Sequence, residues 1–418
     1  MSNSPGIIFY GWWNVATGFV GMGLSYAIFT VFAFGVFVAP LQAEFGWSRG
    51  ELSFALSMTN LAVVIVSPCI GLLIDRFGVK RILVPSTLLM AIAVGSMGLL
   101  TPRLWHLYTL YFLIPFLGAG TLPASYSRVL IAWFNRKRGL ALGLSLSGFG
   151  VGAMLIPLVS QFSIDALGWR ASYFFFSGAI IMLALPMAVF VLKEAPGELG
   201  LNEDGDKDSE SIEIETADAE DAAGMSGIEA ARTLSYWLIL ASFLLVGVGL
   251  TGILAHLVPM LRDRGVDPAT ATRCMSAIGF GIIFGRVLAG YLMDRFFAPY
   301  VTAGFLLGMV LGISILASGT TSALVFPAAM LVGMASGSEI SEIAYICSRY
   351  FGKRAFGQIY GMMFSAFQVG AIIGAPLMGF YYDRAGNYVA ALWLLAATIV
   401  VAAILIASLK PYPTSNWA

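Results

Sequence analysis

The sequence predicts an all-α membrane protein with twelve transmembrane helices in two halves of six. Three observations predict it. The 418 residues are 59% hydrophobic and only 11% charged, at a mean hydropathy of +0.86. A soluble domain carries about 25% charged residues, so no water-facing surface can be built from this chain. Apolar runs of about 20 residues, enough to cross a ~30 Å hydrocarbon core, recur twelve times. One polar, acidic stretch divides them six and six.

The segments are read at about 11–40, 51–74, 82–101, 107–133, 139–163, 171–193, 236–261, 270–294, 299–318, 322–349, 355–382 and 388–409. The first is too long and apolar for a cleaved signal and lacks a basic leader. Residues 194–232 hold 13 acidic residues against Lys207 and Arg232, the composition of a disordered linker. The expected organisation is a half at 1–193, a linker at 194–235 and a second half at 236–418.

Charge sets the expected orientation. With the N-terminus in the cytoplasm, the inner loops, linker and tail hold 14 basic residues and the outer loops seven. Both ends and the linker are therefore expected inside, in a plasma membrane. The 23 basic and 23 acidic residues cancel, so nothing points to nucleic acid. Cys69, Cys274 and Cys347 lie far apart with no metal or disulfide spacing. No G-x-x-x-x-G-K-[ST] loop occurs, which argues against an ATP-driven pump. No cofactor is expected, and a carrier rather than an enzyme.

Four segment ends share a pattern: Gly71-Leu-Leu-Ile-Asp75-Arg76-Phe-Gly78, Ser163-Ile-Asp165-Ala-Leu-Gly168, Gly290-Tyr-Leu-Met-Asp294-Arg295 and Gly379-Phe-Tyr-Tyr-Asp383-Arg384-Ala-Gly386. The chain thus reads as four three-helix units, with the linker between the second and third. Three is odd, so successive units insert upside down. Asp75 and Asp294 end inside, and Asp165 and Asp383 outside. Inverted repeats nested in parallel halves are the plan of the major facilitator fold. The halves also align at Pro40–Gly46 with Pro259–Gly265, and at Trp133-Phe134 with Tyr350-Phe351.

The loop Asp75-Arg76-Phe-Gly78-Val-Lys80-Arg81 resembles the signature that major facilitators carry between helices 2 and 3. The stretch Trp133-Phe134-Asn-Arg136-Lys137-Arg138-Gly-Leu140-Ala141, followed by spaced glycines to Gly152, resembles the second signature of monocarboxylate transporters. Their first signature is partly met by Tyr10-Gly11-Trp12-Trp13. The resemblance covers the chain in architecture. With short loops, it suggests a bacterial member near the oxalate/formate porter group. Asp75 can pair with the neighbouring cations or cap another helix, latching a gate with Arg76, Asp294 and Arg295.

Charge at bilayer depth is costly and marks function. Arg286, eight residues before Asp294, lies ~12 Å in from the segment end, with no acid at i±3 or i±4. An unpaired guanidinium needs an anion, and its fork fits a carboxylate. The resemblance implies that Arg286 binds the substrate carboxylate, and an acid such as Glu339 is the alternative partner. The polar residues Asn60, His256, Tyr345 and Gln368 complete the expected substrate-binding set.

Glu339 and Glu342, at i and i+3, are read as a proton-carrying pair or as gate acids, one of them paired with Arg128 at matching depth. The lysine and acid of animal monocarboxylate transporters fall near Thr30 and at Ile282. The familiar relay is therefore absent. Coupling would then use Glu339, Glu342 or His256, or the step would be anion exchange. Gly-x-x-x-Gly spacings at Gly139, Gly148, Gly281, Gly357 and Gly370 allow close helix approach. The resemblance implies that segments 5 with 8, and 2 with 11, join the halves, and these spacings would let them pack closely.

The leading expectation is a proton-coupled carrier of small monocarboxylates such as lactate or pyruvate, working as a monomer. Transport or exchange of larger, aromatic or oxalate-type carboxylates is second. A membrane sensor is the rival of a different class, against which the lone arginine and the absence of an output domain argue.

Overall fold

The structure, a computed structural model, describes residues 9–205, 224–266, 268–319 and 324–412. The side chain of Asp383, from the repeat, lies outside what is described, as does Lys207. All the described regular structure is helical apart from one isolated bridge between Gly224 and Gly352.

Among the described residues twelve long helical spans follow in order, besides short turns and the short helix Gly227–Ala231. α1 runs as Gly11–Gly23, a π-helical turn Ile28–Phe32 and Phe34–Phe45. α2 is Arg49–Phe77 and α3 Val79–Ser96. α4 comprises Leu104–Leu117 and Pro123–Trp133, and α5 Arg138–Leu146 and Gly148–Leu167. α6 begins at Trp169–Ala179 and continues through π turns to Val191. After the linker come α7 Leu234–Asp263, α8 Pro268–Met293, α9 Ala298–Ala317, α10 Val325–Phe351, α11 Phe356–Ala385 and α12 Val389–Ala407.

Eleven of these are long and apolar enough to cross a membrane. The exception, α10, carries Glu339 and Glu342 and is buried along most of its length. A helix sheltered by protein can afford polarity that a lipid-facing one cannot.

Ends are set by local chemistry. Ser48 caps α2 in a reciprocal box with Glu51. Gly78 takes φ +84 between α2 and α3, a conformation glycine reaches without cost. A Cβ there would also meet the Glu194 carboxylate at 2.7 Å. That carboxylate accepts hydrogen bonds from the N–H groups of Val79 and Lys80, at 3.0 and 2.8 Å, capping α3.

The Gly-x-x-x-Gly expectation divides. Gly139 and Gly143 of α5 press on the carbonyls of Gly290 and Arg286 in α8, and Gly357 and Gly361 of α11 on those of Gly71 and Ser67 in α2. These join the halves. Gly148 and Gly152 instead meet α1, Gly281 and Gly285 meet α10, and Gly370 and Gly374 meet α7. Those three pairs pack within one half, because spacing permits close approach without choosing the partner.

The linker also departs from the disordered reading at both ends. Asp204 accepts from the N–H groups of Asn135 (3.2 Å) and Arg136 (2.8 Å), Glu203 pairs with Lys353, and Met225 N–H donates to Phe351 (2.8 Å). Acidic side chains here satisfy loop N–H groups and a lysine. Residues 206–223 lie outside the described region.

Candidate functional site

The two halves meet at a latched end, on the side that carries the linker. The Asp75 carboxylate accepts from the N–H groups of Gly357 and Gln358, at 2.9 and 2.8 Å. The Asp294 carboxylate accepts from Gly139 and Leu140, at 2.7 and 2.9 Å. Each aspartate ends a helix of one half and caps the first turn of a helix in the other, where unpaired N–H groups and the helix dipole favour an anion. Of the two options for Asp75, the structure has the cap. Arg76 and Arg295 take no part in it. Their guanidiniums lie over Phe77 and Tyr291.

Further bonds cross the same face. Arg349 donates to the side chain and carbonyl of Asn135, both at 3.1 Å, and Arg138 to Ser348 at 3.3 Å. On the opposite side the described bonds stay within a half, as between Glu44 and Arg170 at 2.6 Å. Asp165 accepts only from Gln161 of its own helix among the described residues. The molecule is therefore closed on the linker side.

Above the latches lies a cavity of about 190 Å³ between the halves. Ser25, Tyr26, Thr59 and Asn60 line it from the first half, and Glu339 and Gln368 from the second. Phe32, Phe149, Phe364 and Phe367 add aromatic wall. Thr59 and Thr121 donate their hydroxyls to Tyr111 and Gly118 carbonyls.

Arg286 is buried beside this cavity, its guanidinium 5.8 Å from the ring centre of Phe149, which lines it. Its Nε donates to the Gly337 carbonyl (2.5 Å) and Nη1 to the Leu146 carbonyl across the halves (2.7 Å). It makes no direct ion pair among the described residues, although the Glu339 charge acts on it. Glu339 Oε2 is buried without a hydrogen-bond partner.

Asn60, Gln368, Glu339 and Arg286 thus gather at one place. Four other expected residues do not. Tyr345 donates to the Met293 carbonyl at 2.8 Å and receives Arg349 at 3.5 Å, so it belongs to the closed end. His256 has Tyr388 hydroxyl at Nδ1 (3.2 Å) and the Ala375 carbonyl at Nε2 (3.0 Å), which occupies both ring nitrogens. Glu342 faces Ser338 and Thr302, and Arg128 acts on Asp75, so the expected Arg128–Glu342 pair is not formed. At ~100° per residue, i and i+3 differ by ~60°, enough to turn Glu342 from the cavity toward α9.

The gate residues Asn135, Ser348 and Arg349, and Ser25 of the cavity, were not singled out from sequence. The alignment of Trp133-Phe134 with Tyr350-Phe351 was the available signal for the first three, because those two loops are the ones that meet.

The Major Facilitator Superfamily profile matches residues 18–372. The uncharacterized MFS-type transporter YhjX of Escherichia coli is 22% identical over 360 residues, covering 83% of each chain. Human monocarboxylate transporter 11 is 22% identical, covering 94% of this chain and 81% of its own. Among solved structures, the proton:xylose symporter XylE superposes with a TM-score of 0.76 at 16% identity, covering 96% of both chains. The E. coli fucose:proton symporter FucP gives 0.67 at 16%, covering 96% of this chain and 98% of its own. The latched pair of helix ends, the inter-half cavity and these likenesses agree: the chain belongs to the major facilitator superfamily of membrane transporters.

Proposed function

We propose that this transporter carries small monocarboxylates of the lactate or pyruvate kind together with a proton, by alternating access. The observation that carries the reading is Arg286: a buried guanidinium beside the cavity, held by two carbonyls and without an ion pair among the described residues. Its planar fork suits a carboxylate. One cation favours a monoanion over a dianion.

Glu339 supplies the proton step. In the empty cavity its charge is balanced by Arg286. A substrate carboxylate that claims the guanidinium leaves Glu339 as an uncompensated anion in apolar surroundings, which costs several kcal/mol. Glu339 then takes a proton, and the loaded site is neutral. The same substrate draws Arg286 from the Leu146 carbonyl, loosening a bond between the halves. The latches part, the halves rock, and substrate and proton leave on the linker side. Positive-inside bias makes that side cytoplasmic, with both ends inside a bacterial inner membrane and a monomer as the working unit.

The aromatic wall formed by Tyr26, Phe32, Phe149, Phe364 and Phe367 favours a second reading on the same site, carriage or exchange of aromatic carboxylates. Uptake of labelled lactate, pyruvate, benzoate and oxalate into proteoliposomes, with and without an inward proton gradient, tests both. Gradient-driven accumulation of lactate or pyruvate supports the first. Benzoate uptake alone supports the second. Transport of none of the four overturns both.

A further inference from the structure

α1 is interrupted at the level of the cavity. Its first piece ends at Gly23, and Leu24 leaves helical geometry at φ −117, ψ 24. Ser25 lies in the bend, and the chain resumes as the π turn Ile28–Phe32, in which Ala33 N–H reaches the Ile28 carbonyl at 3.0 Å. No proline causes this, since the proline of α1 is Pro40. The break sits where α1 presses on α5. A Cβ on Gly152 would meet the Gly23 carbonyl at 2.4 Å, and one on Gly148 the Phe19 carbonyl at 1.9 Å. Broken spans and π turns mark binding sites in transport proteins.

Ser25 stands in this break with its hydroxyl unmet. Several helical hydroxyls of this chain bond the carbonyl four residues back, as Thr17, Thr87, Thr251 and Ser314 do at 2.7–2.9 Å. Ser25, in the bend, has no such bond. The residue is 2% exposed, and its hydroxyl is buried with no hydrogen bond. Two of the described buried, unpartnered side-chain oxygens line the cavity, Ser25 Oγ from one half and Glu339 Oε2 from the other. The orphan acid has Arg286 and a proton to answer it. The orphan hydroxyl has nothing within the protein, and leaving it unmet is costly.

We propose that Ser25 is a specificity-determining residue, whose hydroxyl bonds a polar atom of the substrate other than the carboxylate. The inference rests on the carboxylate reading for its orientation: with the carboxylate at Arg286 on the second half, a substituent on the adjacent carbon faces α1. A site built around an unmet hydroxyl rejects the analogue that leaves it unmet.

The test is ligand-induced thermal stabilisation of the full chain in detergent, using matched pairs with and without a hydroxyl. The pairs are lactate with propionate, mandelate with phenylacetate, and the uncharged lactamide with propionamide. Wild type should prefer the hydroxylated member of the pair it binds. Ser25→Ala should lower that preference about tenfold, the worth of one hydrogen bond, and Ser25→Thr should keep it. An unchanged preference in Ser25→Ala, or no preference in wild type, overturns the role of Ser25. If the amides bind wild type better than the acids, the carboxylate reading fails instead, and the Ser25 comparison is then decided on the amide pair.

Discussion

Removing one carboxylate charge from the closed end should open it by a calculable amount. Asp294 accepts two N–H bonds at 2.7 and 2.9 Å from the first turn of α5. Bonds to a charged group contribute about 1.5–3 kcal/mol each. Asp294→Asn keeps the shape and one acceptor oxygen but loses the charge, so the loss is about one such bond. That moves the balance between closed and open linker side by roughly 10- to 150-fold, at 1.4 kcal/mol per factor of ten. Ser348→Cys serves as reporter. The Ser348 side chain bonds Arg138 of the other half and is 6% exposed, so parting of the halves uncovers it. Cys69 is exposed and must be replaced first, while Cys274 and Cys347 are buried. A membrane-impermeant maleimide supplied from the linker side should label the reporter at least tenfold faster in Asp294→Asn. Equal rates in both backgrounds would refute the claim that this carboxylate holds the halves together.

Three further outcomes follow from the same geometry. Gly139→Ala places a methyl 2.1 Å from the Gly290 carbonyl, so it should prevent closure, speed reporter labelling and slow uptake. Normal uptake would mean α5 and α8 can separate without consequence. Lys353→Gln and Asp204→Asn together remove the Glu203 and Asp204 ties of the linker to the two loops; labelling should rise with added salt in wild type and respond less to salt in the double variant. Glu339→Gln should abolish accumulation driven by a proton gradient while substrate exchange persists, and retained accumulation would place the proton elsewhere.

The spans were legible because bilayer thickness acts on every one of them alike. The latches were legible because each repeats a short Gly-x-x-x-Asp pattern at a helix end, and a carboxylate there meets whichever helix starts opposite. What the sequence hid depends on partners far along the chain. His256 is occupied by residues 119 and 132 positions away, and nothing near it announces them. Tyr345 reads as polar within an apolar run, and only its contacts with Met293 and Arg349 assign it to the closed end. The break in α1 runs through Leu24-Ser-Tyr-Ala-Ile-Phe, a stretch without proline, and it sits where α1 packs against Gly148 and Gly152 of α5. The linker looked solvated because acidity alone does not reveal which N–H groups its carboxylates reach.

The central claim, that Arg286 holds the substrate carboxylate, is tested most directly by gradient-driven lactate and pyruvate uptake into proteoliposomes bearing Arg286→Lys. The charge is kept and the planar fork is lost. Uptake should fall at least tenfold while the variant folds and inserts normally. Uptake equal to wild type would contradict the assignment and leave Arg286 as a structural tie between Gly337 and Leu146.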